Sequence, residues 1–372
     1  MRILWLDEVG NLPAHRPIID KIQWAGFPVD LLIADHRVVG QHWELYKAQS
    51  TLSTYIGYDL IISATHDGNP HVSGFLDRVA KPHSVVSIEH DPFRDAVETC
   101  PKPLSKHVLA FTSRAEKYLS TRGYTYKRAQ WSKTEIPTGP ITTDARPNED
   151  AVVFTDPQWK LPESDIFRKV WVKDFLGCYN AKGPNVLKGA FKTAKGSAYL
   201  PQIARFWLLS ETSAYIDALV FGCIPILHNA TIIREDRHND IVSKVRLRKK
   251  SSREVFDLLA VTATNLKDKI KALQNNPKNY EDTLTILRGD WFPKDYEQWP
   301  LASDVVLDTV LEHALGSSNR VGAARSVIRL YHSELSRAPD KAGLLHWAAS
   351  GSEDDILRTI RSSKEYQIKH PK

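Results

Sequence analysis

What this chain of 372 residues has little of narrows the field first. It carries three cysteines, Cys100, Cys178 and Cys223, scattered without the spacing of a metal site. So sparse and odd a set argues against a disulfide framework and points to reduced, buried thiols in a cytoplasmic setting. No run of about 18 apolar residues occurs, which argues against a membrane-spanning helix. The opening Met1-Arg2-Ile3-Leu4-Trp5-Leu6-Asp7 reads as a single short strand, not as a signal peptide. There is no P-loop and no G-x-S-x-G elbow. No Asp-x-Asp pair stands at a strand end; Glu353-Asp354-Asp355 lies in the tail and suits a solvated helix start. An excess of one charge is also missing, because the net value is only +6. That balance permits contact with DNA, acidic glycans or anionic lipid heads, and it equally suits a mildly basic enzyme.

What is present is the composition of a soluble globular protein, with 42% hydrophobic and 25% charged residues. The length suffices for two α/β domains and a smaller module. Short apolar strands are expected at 2–7, 29–34, 58–64, 84–88 and 108–112, with helices at 16–26, 71–80 and 114–122. This alternation predicts a parallel, doubly wound sheet. Residues 138–150 interrupt the rhythm as a linker. A second series follows, with strands expected at 151–155, 175–179, 186–189, 206–210 and 223–227, and a helical pattern over 252–290. The expected units are residues 1–140, 150–300 and, as a small helical domain, 318–370.

The most informative segment runs from Thr212 to Leu227. Asp217 sits in a short helix-compatible stretch that closes at Gly222, and Pro225 lies in an apolar run suited to a buried strand. A plain αβ unit with a solvated aspartate would also read this way. The spelling Asp217-Ala218-Leu219, Gly222-Cys223-Ile224-Pro225-Ile226 resembles the nucleotide-sugar half of GT-B glycosyltransferases, and exostosin-type members in particular. The resemblance implies two facing Rossmann-like domains. It also implies that Asp217 accepts hydrogen bonds from the donor ribose while the helix start, with Thr212 and Ser213, faces the diphosphate. An ionised carboxylate suits a diol, and helix N-terminal amides suit phosphate. Relatives of this kind carry an arginine where Ala214 stands, so one phosphate contact is lost or comes from elsewhere.

The tail is similar to a small helical domain of unknown function found in bacterial surface-layer, secreted and glycan-related proteins. Leu330-Tyr331, Leu335, Arg337, Pro339-Asp340, Gly343-Leu344, Trp347 and Ser363 with Glu365-Tyr366 carry that match. Arg337, Asp340, Gly343 and Trp347 are residues that fix a helix–turn–helix corner.

In inverting GT-B enzymes the base comes from the first domain, at a strand end. Three strand ends offer candidates: Asp7, His66, and the run Glu89-His90-Asp91. The last resembles the catalytic turn of phage DNA β-glucosyltransferases, which places Asp91 first, Glu89 and His90 beside it, and Asp7 and His66 as acceptor-side candidates. A carboxylate in a partly dry cleft can have its pKa raised, and histidine needs no shift to act as a base. A hydrogen-bonded Asp-Pro turn is the structural alternative. For the diphosphate, Lys160 and Arg168 in the loop 155–168 and Lys192 and Lys195 in a glycine-flanked loop are candidate cations. Neither a metal nor another cofactor is expected, the substrate being a nucleoside-diphosphate sugar, with UDP-sugar preferred. The run Lys244 to Lys250 with Arg253 would suit DNA phosphates, a membrane surface or a solvated edge.

The leading expectation is thus a metal-independent, inverting glycosyltransferase acting on a bacterial glycan. The alternatives are a DNA glycosyltransferase acting on hydroxymethylated pyrimidines, and an inactive GT-B scaffold that binds glycan or protein.

Overall fold

The computed structural model describes residues 1–8, 12–34, 57–64, 76, 85–88, 107–121, 123–132, 151–154, 168–172, 190–193, 206–209, 218–220, 222–228, 260–261, 268, 270–272 and 277–371. Two parallel sheets organise them. The first contains β1 (Ile3–Glu8), β2 (Val29–Ala34), β3 (Leu60–Ser63), β4 (Val85–Ser87), β5 (His107–Ala110) and β6 (Tyr126–Arg128), in the order β2-β1-β3-β4-β5-β6. The second contains β7 (Ala151–Phe154), β8 (Arg168–Val172), β9 (Ala190–Thr193), β10 (Phe206–Leu209), β11 (Ile224–His228) and β12 (Ala260–Val261), in the order β12-β11-β10-β7-β8-β9. These are two Rossmann-like halves followed by helices, the expected α/β class with a C-terminal helical part.

β1 shows why the strands form. Ile3, Leu4, Trp5 and Leu6 are all buried, the continuous apolar run of a strand covered on both faces. α1 (Leu12–Trp24) covers one face with His15, Ile18, Ile19 and Ile22, all fully buried at helical spacing. It begins one turn earlier than the expected 16 and takes Pro17 into its interior. Pro17 has no N–H to return to the carbonyl four residues back, and burial of three isoleucines offsets that lost bond. The helix stops where Gly26 takes φ +91°: Gly26 N–H bonds Gln23 O and Phe27 N–H bonds Ile22 O, the glycine-closed end that leaves the last carbonyls paired. α2 (Ser113–Thr121) follows β5, its first turn closed by Thr112 Oγ1 accepting from Ala115 N–H.

Several expected elements differ. Tyr126–Arg128 pairs as an edge strand although its sequence is polar, since only one side joins a neighbour. In the second half, strands form at 168–172, which pairs with β7, and at 190–193, which pairs with β8; the expected strands 175–179 and 186–189 lie outside the described residues. Val170, Trp171 and Val172 favour a pleated surface and pair directly with β7 and β9. Within the expected helical span 252–290, Ala260–Val261 extends the sheet beside β11 instead. The linker 138–150 lies outside the described residues.

From Pro277 onward the chain is helical: α3 (Pro277–Trp291), α4 (Ala302–Leu315), α5 (Val321–Leu335), α6 (Lys341–Ser350), α7 (Glu353–Ser362) and α8 (Lys364–Lys369). The corner residues read from the tail do what their chemistry suggests. Asp340 caps α6 by accepting from Gly343 N–H at 2.7 Å. Arg337 holds Glu365 through two hydrogen bonds of 2.7 Å and lies over the Tyr331 ring.

α4 lies against α1, where Lys21 Nζ is 2.6 Å from Asp304 Oδ1. Trp24 stacks on His332 with ring centroids 4.1 Å apart, and His332 Nε2 donates to Trp24 O. Between α3 and α4, a short 3-10 turn (Tyr296–Gln298) runs along the end of the first sheet. There Tyr296 Oη accepts from Trp131 N–H at 2.8 Å, and Gln130 N–H bonds Pro300 O.

Candidate functional site

In open parallel sheets a crevice forms at the carboxyl ends of the strands where the strand order reverses. In the first sheet the chain steps from β1 outward to β2, then resumes on the other side with β3. The reversal therefore lies between β1 and β3, with Leu6 beside Ser63 in register. In the second sheet β8 and β9 extend one way from β7, and β10, β11 and β12 extend the other. The reversal lies between β7 and β10, where Phe154 pairs with Leu208.

At the first reversal stands Asp7, fully buried. Its Oδ2 accepts from Trp5 Nε1 at 2.9 Å and lies 2.9 Å from Nδ1 of the equally buried His15. The Asp7 carboxyl thus holds the His15 ring in place through Nδ1. Asp7 thereby ties β1 to α1 across the carboxyl edge. Ser63 and Ser87, paired in register at the ends of β3 and β4, and Thr112 beyond β5 continue a row of buried polar residues along the same edge. Of the other first-domain candidates, His66 follows β3 in the chain, and Glu89, His90 and Asp91 follow β4. All four lie outside the described residues.

At the second reversal the chain leaving β7 carries Lys160, and the chain leaving β10 carries Thr212, Ser213 and Asp217. These four and Lys195 lie outside the described residues. The end of the donor-like segment is described. Residues 218–220 are helical with Ala218 and Leu219 fully buried. Gly222 takes φ +74°, its N–H bonds Leu219 O, and Cys223 N–H bonds Ala218 O at 2.7 Å. This is the same glycine-closed helix end as in α1, and it delivers the chain into β11. Pro225 sits within β11 opposite Trp207 of β10. Among the described residues the ladder to β12 begins only at Leu227, so Pro225 is not asked for a bond on that side. On α3, Tyr280 Oη donates to Gly222 O at 3.0 Å, and the Tyr280 ring meets Phe206 of β10 edge-on.

Two cation candidates fall elsewhere than expected. Arg168 does not lie in a loop: it opens β8 opposite Ala151, the first residue of β7. That is the amino edge of the sheet, away from its carboxyl edge, because β8 pairs with β7 from Arg168 to Trp171. Lys192 lies inside β9, opposite Trp171, and not in a loop after a strand. Among the described residues no group of three or more His, Cys, Asp or Glu could hold a metal ion, and no helix is long and apolar enough to cross a membrane. The residue that sequence reading passed over is His15. Its one signal was a histidine in helical spacing with Ile18, Ile19 and Ile22, visible only once the helix start is moved forward.

No protein-family model and no curated protein matches the chain. Among solved structures the chain is similar to a putative UDP-N-acetylglucosamine 2-epimerase from Listeria monocytogenes. That likeness has a TM-score of 0.51 at 9% identity and covers 91% of this chain and 98% of the other. At such identity it speaks for the fold alone, two Rossmann-like domains of the GT-B kind. The glycosyltransferase SnogD from Streptomyces nogalater (TM-score 0.47, 12% identity, 84% of this chain and 99% of that one) and the spinosyn rhamnosyltransferase SpnG (0.46, 11%, 84% and 100%) are similar in outline. A likeness of that size goes no further than outline.

Proposed function

We propose that the chain is a glycosyltransferase that moves a sugar from a nucleoside-diphosphate sugar, UDP-sugar by preference, to a hydroxyl acceptor. The observation that carries this reading is the second sheet. Its order reverses between β7 and β10, and the chain leaving β10 carries Thr212, Ser213 and Asp217 directly into a helical turn closed by Gly222. A sheet reversal of this kind supports a ligand bound at its carboxyl edge, and an aspartate in the connection after β10 would suit a ribose diol.

The proposed reaction is inverting and needs no metal or other cofactor. A base on the first domain, Asp91 with Glu89 or His90 beside it, takes the acceptor proton. The freed oxygen forms a bond to the anomeric carbon from the face opposite the diphosphate. The anomeric C–O bond breaks, and its electron pair leaves on the diphosphate, stabilised by amide dipoles and by Lys160 or Lys195. The tail's resemblance to glycan-associated modules supports a bacterial glycan as acceptor.

Calorimetric titration of the full chain with UDP-, GDP- and dTDP-sugars tests the reading. Binding of one of them is expected, and Asp217→Ala is expected to weaken it about tenfold or more, as for loss of a charge-assisted hydrogen bond. Failure of every nucleotide sugar to bind would sink the enzyme and leave a binding scaffold. Sugar transfer to hydroxymethylated DNA would replace the glycan acceptor by DNA.

A further inference from the structure

We propose that Tyr280 is a positioning residue for the donor segment, and that the connector from α3 to the 3-10 turn sets where that segment stands relative to the first domain. This inference rests on the glycosyltransferase reading. Its physical basis is a pair of tyrosine hydroxyls, one toward each end of the connector. At one end Tyr280 Oη donates to Gly222 O at 3.0 Å. At the other, Tyr296 Oη accepts from Trp131 N–H at 2.8 Å, on the chain that leaves β6. Both tyrosines are buried, at 8% and 3% exposure. Both are also held by other rings. Tyr280 lies edge-on to Phe206 with centroids 5.8 Å apart, and Tyr296 packs between Phe292 and Trp299 at 4.5 and 5.5 Å.

The segment between them is helical for most of its length. α3 is continuous from Pro277 to Trp291 and passes through the buried Leu284, Leu287 and Trp291 into the 3-10 turn. Gly222 is the residue whose left-handed conformation ends the helical turn 218–220, and Asp217 is the residue before that turn. A bond to Gly222 O therefore holds the carboxyl end of the donor segment. The hydroxyl touches no reacting atom in the proposed reaction. It acts through the backbone of the turn, so its loss should alter how well the donor is held rather than the chemical step.

The test uses the full chain and the single change Tyr280→Phe, which deletes the hydroxyl and keeps the ring on Phe206. Two readouts are taken: hydrogen exchange of the amides at 218–228, and affinity for UDP and GDP together with donor KM and kcat. Exchange at Gly222 and Cys223 is expected to quicken severalfold. Diphosphate affinity is expected to fall about threefold to tenfold, the net worth of one hydrogen bond. Donor KM should rise by a similar factor with kcat within about twofold, a split that a general loss of stability does not give. Tyr280→Leu, which also removes the ring, should add a loss of thermal stability that Tyr280→Phe lacks. Unchanged exchange, or unchanged diphosphate affinity and KM in Tyr280→Phe, would overturn the proposal. If exchange quickens but the wild type binds neither diphosphate nor any nucleotide sugar, the clamp stands as structure. The positioning role then falls, together with the glycosyltransferase reading.

Discussion

The two sheets share a parallel build but are joined to the C-terminal helices differently. The first half meets them through α1 and β6: Lys21 pairs with Asp304, Trp24 stacks on His332, and Lys127 reaches Thr309 and Glu312. Among the described residues the second sheet meets them at α3, through Tyr280 on Phe206 and Gly222. The difference teaches which parts share a core. The helices after residue 300 are bound to the first half as an extension of its core, while among the described residues the second half is joined to them through the connector.

Two glycines let this contrast be broken. Gly26 and Gly222 both adopt left-handed backbone and both close a helix, at φ +91° and +74°. Among the described residues a Cβ on Gly222 would meet nothing within 4 Å, whereas one on Gly26 would lie 2.9 Å from Ala338 Cβ and 3.1 Å from Pro339 O. The same substitution therefore carries the same backbone strain, about 1–2 kcal/mol, at both sites. At Gly26 it adds the crowding of the tail, about 1–3 kcal/mol. Gly26→Ala should cause the largest loss of stability of any single change named for this chain, read as the shift of the denaturant midpoint. It should also loosen α5 and α6 in hydrogen exchange. Equal costs at the two glycines would mean that the tail yields freely and is not part of the first half's core.

The next effect in size belongs to the connector's first-domain end. Tyr296→Phe removes the acceptor for Trp131 N–H in a buried setting. The expected loss is about 1–3 kcal/mol, the range for leaving a buried donor unpaired. Tyr280→Phe should cost less in stability, because Gly222 O loses a donor at a partly buried position. Reversal of that ranking would show that the second half, not the first half, is the more tightly clamped.

How far the sequence led is best seen by residue. Ile3 to Leu6, Leu60 to Ile62 and Val85–Val86 are buried apolar runs, and each was legible as a strand because both faces are covered. Gly222 was legible as a helix end because glycine alone tolerates the required φ at no cost. Tyr126–Arg128 was not legible, since an edge strand exposed on one side needs no apolar run. Arg168 was read as the end of the loop 155–168 and Lys192 as part of a glycine-flanked basic loop, whereas pairing with β7 and β8 decided their place. The Asp7–His15 bond joins a strand to a helix eight residues on, a contact that follows from packing and leaves no local pattern. The strand order, which places the crevices, is likewise a property of pairing between distant segments.

The smallest expected effect lies in the tail's exposed ion pairs, and it separates the tail's own stability from its docking. The Arg337 guanidinium, through its hydrogen bonds, holds the Glu365 carboxyl below the ordinary glutamate range, and Arg361 does the same for Glu334. A carboxyl depressed in the folded state adds stability above its unfolded pKa, and that stability is lost as pH falls through the lower folded value. Wild type should therefore exceed Glu365→Gln in thermal stability at neutral pH, and the gap should close on acidification. The gap should be modest and shrink with added salt, because both partners are substantially solvent-exposed. The Gly26→Ala deficit, being steric, should instead persist across the same pH range. A gap for Glu365→Gln that stays constant down to acid pH would show that Glu365 acts through packing rather than charge, and the tail's corner would then resemble its docking face after all.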